Sequence, residues 1–226
     1  MVTPGMRVER ESEAGLWPGT AGFAVRIGDG GPAGLLVPVT AAAYIRESPL
    51  PQGDSRCSVG GTGGLSVDRH LSPASLAQGP HFHDFAVVVV PEGELGAALP
   101  DGSGGPVPGN PADPTPRSVK VAVERGGSVV ALDGTLELLA DSVLQHRPVE
   151  PPGGVVAVTY ESPFRLETTE PLADEDVGAA IYEADGEATA LGVVLVRDSG
   201  STALATDIRR ILRRLPRGSE LVGGGR

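Results

Sequence analysis

Residues 176–196 read DVGAAIYEADGEATALGVVLV. Two short apolar runs, residues 178–182 and 190–196, flank Glu183-Ala-Asp-Gly-Glu. Asp-Gly is a strong hairpin signal, because both residues tolerate the positive φ that a tight β-turn requires. The stretch therefore reads as two antiparallel strands joined by a short turn. The same style runs outward from it. Residues 119–124 and 129–132 flank Gly126-Gly127, residues 155–160 alternate, and residues 202–205 follow the turn Asp198-Ser-Gly-Ser. Residues 135–144 suit a strand pair or a helix by pattern alone; their neighbours favour strands. Only the end changes period. Ile208, Ile211, Leu212 and Leu215 lie at helical spacing behind a Thr206 or Asp207 cap, and Pro216 stops the run.

The first half is built the same way. Residues 21–27 and 33–39 flank Gly28-Asp-Gly-Gly-Pro and read as a hairpin. Residues 40–45 suit one helical turn, residues 47–64 are loop with a brief strand at 57–59, and residues 65–71 suit a strand. Residues 81–90, His-Phe-His-Asp-Phe-Ala-Val-Val-Val-Val, end in a β-branched run that predicts a strand buried on both faces. Residues 91–117 are too rich in proline and glycine for regular structure. The expected plan is a charged leader at 1–18 with little structure of its own and a β lobe at 19–90. A Pro/Gly connector follows at 91–117, then a second β lobe with the helix at 118–215 and a flexible tail at 216–226. Short strands with frequent turns point to an all-β protein of small barrels or sandwiches.

Composition narrows the function. The 33 glycines and 21 prolines among 226 residues approach a disordered composition, but the 40% hydrophobic residues come in dense runs that a disordered chain lacks. A net charge of −11 argues against nucleic acid and anionic membranes as partners. No apolar stretch approaches the roughly 20 residues of a membrane span. The single cysteine, Cys57, excludes an internal disulfide and cysteine-based zinc sites, and it suits a reducing, cytoplasmic location. Among 18 basic residues only Lys120 is lysine, which suggests a GC-rich genome.

Four segments together resemble the trypsin-like (chymotrypsin-fold) serine peptidases. Residues 20–25 with Gly34-Leu-Leu-Val-Pro-Val-Thr-Ala-Ala-Ala resemble the family's first hairpin and its T-A-A-H motif. Asp84-Phe-Ala-Val-Val-Val-Val resembles its D-I-A-L-L strand. Asp176-Val-Gly-Ala-Ala-Ile-Tyr resembles G-D-S-G-G-P-V, and Ala203-Leu-Ala-Thr-Asp-Ile-Arg-Arg-Ile-Leu resembles the family's closing segment and helix. The likeness covers residues 19–215. It implies two six-stranded antiparallel barrels, a C-terminal helix and an active site in the cleft between the barrels.

It also implies a His, an Asp and a Ser at set positions, because a serine hydroxyl attacks only when an oriented imidazole takes its proton. Here the His position is Ala43 and the Ser position is Val177; Asp84 alone survives. The oxyanion loop maps to Glu175, Asp176 and Gly178, with Glu175 where the family has glycine. Methyl and isopropyl groups neither attack nor accept protons. The resemblance thus implies a pseudopeptidase that binds a protein or peptide as a regulatory module, in a signalling or defence system. The acidic run Glu170, Asp174, Glu175 and Asp176 reads as a solvated loop; otherwise it makes the cleft acidic and selects a basic partner. The alternative is an active endopeptidase with a displaced triad. Its serine would come from Asp101-Gly-Ser103, which reads as linker, or Asp198-Ser199-Gly200, which reads as a turn. His81 and His83 share a side and could begin a metal site, but no matching cluster exists, so no metal or cofactor is expected. His70 and His146 read as surface residues.

Overall fold

The computed structural model describes residues 1–10, 18–38, 56–70, 85–103, 105–110, 116–141, 143–149, 154–160, 163–184 and 188–223. The side chains of residues 10, 67–70, 144–149 and 154–159 lie outside the description. Two strand rings account for most of it. In the C-terminal ring, β9 (Arg117–Arg125), β10 (Ser128–Leu138), β13 (Phe164–Thr168), β16 (Thr202–Asp207), β15 (Thr189–Ser199) and β14 (Ala180–Glu183) pair in that order. β14 pairs back onto β9, which closes a six-stranded antiparallel barrel. The hairpin between β9 and β10 turns through Gly126 and Gly127, at φ +58° and +80°. A two-residue turn with both φ positive matches the right-handed strand twist, and glycine adopts it without strain.

The N-terminal ring is β3 (Ala24–Arg26), β4 (Ala33–Pro38), β7 (Phe85–Val89), β6 (Thr62–His70), β5 (Arg56–Val59), β1 (Arg7–Arg10) and β2 (Gly19–Thr20). β2 and β3 are two halves of one run. Its start pairs with β1, while Gly22 N–H donates to Leu36 O (2.7 Å) and Leu36 N–H to Phe23 O (3.0 Å) on β4. Counted that way, this ring too has six strands and closes.

Strand alternation explains why β7 is buried on both faces. Ala86 and Val88 point into the N-terminal barrel with Ala24, Leu35, Val37, Val8 and Cys57. Phe85 and Val87 point the other way, into a core shared by both barrels. That shared core also holds Phe23, Leu36, Ala122, Tyr182, Val193 and Ile208. The C-terminal barrel divides its residues likewise: Ile181, Leu191 and Val194 face inward, while Ala180, Tyr182 and Val193 face the shared core. A period of two supplies one face to each core. The terminal helix α1 (Ile208–Leu212) buries Ile208 and Ile211 in the shared core. Asp207 caps it, accepting the Arg209 N–H at 2.8 Å.

Three expectations need correction. The leader is not without structure, because β1 completes the N-terminal barrel between β2 and β5. Val2, 1% exposed, bridges to Leu95. The connector contains β8 (Val107–Pro108), which pairs in parallel with Thr189 and Ala190. The tail contains β17 (Glu220–Leu221), paired with Arg26 and Val25. In each case a partner strand fixes residues whose local sequence has no strand signal. The ambiguous residues 135–144 resolve as strand: β10 runs to Leu138, and β11 (Val143–Val149) pairs with β12 (Gly154–Tyr160) as a separate hairpin. The expected helical turn at 40–45 and the Asp185-Gly186 turn lie outside the described residues.

Candidate functional site

The loop from Pro171 to Gly178 leads into β14. Its Asp174–Asp176 segment is a 3-10 turn, in which the Asp176 N–H donates to Ala173 O at 3.1 Å. Asp176 is 1% exposed. A buried carboxylate needs a partner, since desolvation strongly disfavours a lone charge. Arg125 supplies it from the end of β9: Nη1 donates to Oδ1 at 2.8 Å and Nη2 to Oδ2 at 2.5 Å. The Ala173 N–H donates to Oδ2 at 2.7 Å. The hydrogen bonds to Asp176 hold the Arg125 guanidinium above its usual pKa, against the opposing effect of burial. The Gly126-Gly127 turn fixes where β9 ends, and so where this guanidinium sits.

The loop is also fastened to the other barrel. Val177 O accepts from the Thr20 N–H (2.8 Å), and Glu175 O accepts from Thr20 Oγ1 (2.7 Å). Gly178 has φ +99°. A Cβ there would lie 2.2 Å from Thr20 O and 2.6 Å from Pro38 Cδ, so only glycine satisfies both the conformation and the contact. Pro38 in turn pairs with Phe85. Thus Val177 and Gly178 sit at the junction of the barrels, against the end of β4 and the start of β7. Ala43 follows that end of β4 by five residues, and Asp84 precedes Phe85 by one. Ala43 and Asp84 themselves lie outside the described residues, as do His81 and His83 and the side chains of His70 and His146.

Beside the loop is a cavity of about 420 Å³, lined by Arg7, Thr20, Glu124, Arg125, Glu175 and Asp176 among others. The Arg7 N–H donates to Glu124 Oε2 (2.9 Å), Arg7 Nε lies 2.8 Å from Glu9 Oε1, and Nη1 lies 3.8 Å from Glu175 Oε1. Asp174 pairs with Arg197 (2.7 Å). Three of the four carboxylates in the acidic run therefore have arginine partners within the chain. Glu170 forms no ion pair among the described residues. The sequence reading did not find the Arg125–Asp176 pair. Its members stand 51 residues apart, and nothing local distinguishes Arg125 from a solvated turn residue.

The two alternative serines are held in local turns. Ser103 Oγ donates to Asp101 Oδ1 (2.5 Å), and Ser199 Oγ shares a hydrogen bond with Thr202 Oγ1 (3.1 Å). Among the described residues no group of three His, Cys, Asp or Glu side chains could hold a metal, and no helix is long and apolar enough to cross a membrane.

Two closed six-stranded barrels, joined through a shared core and followed by a short helix, make the trypsin-like serine protease fold. Solved structures bear this out. Thermobifida fusca protease A matches 99% of this chain over 99% of its own, at 16% identity and a TM-score of 0.61. Cellulomonas bogoriensis chymotrypsin matches 98% over 98%, at 17% identity and 0.58. Nocardiopsis protease matches 97% over 98%, at 14% identity and 0.57. No protein-family profile matches the sequence, and no curated protein matches it. The likeness is one of fold.

Proposed function

We propose that the protein is a trypsin-like pseudopeptidase that binds a protein or peptide segment without cleaving it. The reading is carried by Val177. It follows the buried Asp176 on the loop entering β14, at the junction of two barrels in a serine protease fold. A serine protease needs a nucleophilic oxygen on such a loop, and an isopropyl group has none to offer. The 3-10 turn adds support. In it the Asp176 N–H bonds back to Ala173 O, whereas an oxyanion hole needs N–H groups aimed outward at a substrate oxygen. Glu175 in the middle of that turn also lacks the backbone freedom of glycine. With chemistry absent, the retained architecture serves recognition, by strand addition or by side-chain pockets in the cleft. A regulatory role in a bacterial cytoplasm suits the single buried Cys57.

The test is direct. The purified protein should neither label with a fluorophosphonate probe nor release peptides from casein. Labelling that disappears on Ser103→Ala or Ser199→Ala would replace this reading with an active enzyme using a displaced serine. Gain of labelling in the double variant Ala43→His, Val177→Ser would confirm the mapped positions.

A further inference from the structure

A second surface carries the opposite charge. Between Ile208 and Ser219 the chain has five of its 17 arginines and no carboxylate, in a protein of net charge −11. Arg209, Arg213 and Arg217 recur every four residues and line one cavity of about 470 Å³. Leu212, Pro216 and Ser219 contribute to the same walls. This cavity shares no lining residue with the one beside the 171–178 loop.

The arginines differ in their partners. Arg209 is neutralised by the helix cap, with Nη2 3.1 Å from Asp207 Oδ2. Arg213, Arg214 and Arg217 are exposed and form no ion pair among the described residues. Like charges lining one cavity repel each other. One or two cations at the end of a five-residue helix would satisfy its dipole. Three more beyond the last helical residue form no ion pair, although the Asp29 carboxylate lies beside Gly218, and folding does not account for them. Elsewhere among the described side chains, Arg7, Arg117, Arg125 and Arg197 pair with carboxylates and Arg26 and Arg56 with backbone carbonyls; Arg165 stands singly, whereas Arg213, Arg214 and Arg217 stand together. Departures from local rules without an internal compensation mark functional surfaces.

The geometry points to this patch as a docking site for an acidic segment of a partner protein. Charge complementarity selects an anionic ligand, and the alternation of arginine with Leu212 and Pro216 selects one that also carries apolar side chains. A nucleic acid or an anionic bilayer would bring a long polyanion against the rest of a strongly acidic surface, which disfavours both. The site is independent of the pseudopeptidase cleft.

The experiment is fluorescence anisotropy with a short fluorescein-labelled peptide of alternating Glu and Leu. Binding is expected at low salt, weakening as salt rises. The triple variant Arg213→Gln, Arg214→Gln, Arg217→Gln should bind at least about tenfold more weakly, with an unchanged thermal melt because all three side chains are exposed. The charge-reversed triple variant to Glu should instead bind the matching Lys-Leu peptide more tightly than the wild type does. Equal binding of the Glu-Leu peptide by wild type and triple variant would overturn the proposal. So would absence of binding at low salt, or tighter binding to duplex DNA or phosphatidylserine vesicles. A dimer that dissociates in the triple variant would assign the patch to a second copy and overturn it as well. Since no cleft residue is altered, these results are independent of fluorophosphonate labelling.

Discussion

Asp176 shows how much one residue's meaning depends on another that is distant in sequence. Read alone, it belongs to an acidic loop open to solvent. In the structure it is buried, and Arg125 grips both of its oxygens. Removing the guanidinium leaves a carboxylate in a low-dielectric site with only the Ala173 N–H to serve it. Arg125→Ala should cost about 3–5 kcal/mol of stability, the range for breaking a buried ion pair. Arg125→Lys should recover only part of this, because a point charge cannot serve both oxygens. Urea unfolding of the two variants measures it; a loss below about 1 kcal/mol for Arg125→Ala would mean that Asp176 is solvated. That residue 177 carries no hydroxyl was legible, because side-chain chemistry is a property of one residue. The ion pair was not, because burial is a property of the fold.

At the scale of elements, the sequence showed strands where the apolar alternation is internal to the strand. β3, β4, β7, β9, β10, β14, β15 and β16 all carry that signal, and glycine turns separate several of them. It missed β13, whose Phe-Arg-Leu-Glu-Thr alternates but is only five residues long, and it missed elements made only by pairing. β8 and β17 are two residues each, and their neighbours hold them: the Gly109 N–H bonds Ala190 O at 2.8 Å, and the Val222 N–H bonds Ala24 O at 2.9 Å. β1 is the instructive case. Its sequence, Arg-Val-Glu-Arg, is mostly charged: Val8 faces the barrel interior while Arg7 and Glu9 face outward. A charged segment that reads as a leader is therefore a strand with one wet face. Deleting residues 1–10 should open the barrel between β2 and β5. The loss of buried Val2 and Val8 alone removes about 3–6 kcal/mol of burial, comparable with the whole stability of many domains. The truncated protein should melt far lower or accumulate insoluble, with an exposed strand edge at β5. An unchanged melting temperature would show that β1 does not close the ring.

At the scale of the molecule, the two barrels are not independent bodies. Phe23, Val25, Leu36 and Phe85 from one share a single core with Ala122, Tyr182, Val193 and Ile211 from the other. The connector is tied into the same region, for Leu99 belongs to that core and Asp101 acts on Tyr182. Unfolding should therefore be one transition, with far-UV circular dichroism and tyrosine fluorescence giving the same urea midpoint. Tyr182 also gives this core a pH dependence. Its ring is fully buried, and its hydroxyl makes no hydrogen bond of full geometry. Burial, reinforced by the Asp101 charge, pushes its pKa well above the usual 10. A group whose folded pKa is raised contributes its full stability below the unfolded pKa and loses it as pH climbs toward the folded value. Tyr182 should thus cost the protein about 1.4 kcal/mol for each pH unit above about 10, while contributing no slope near neutrality. Tyr182→Phe removes the ionisable group together with a buried hydroxyl that has no hydrogen-bond partner of full geometry. Its stability at pH 8 should stay within about 1 kcal/mol of the wild type, and its urea midpoint should decline less steeply between pH 10 and 11. Parallel declines in the two proteins would place the alkaline sensitivity elsewhere, and separate midpoints for the two probes would mean that the shared core does not couple the barrels.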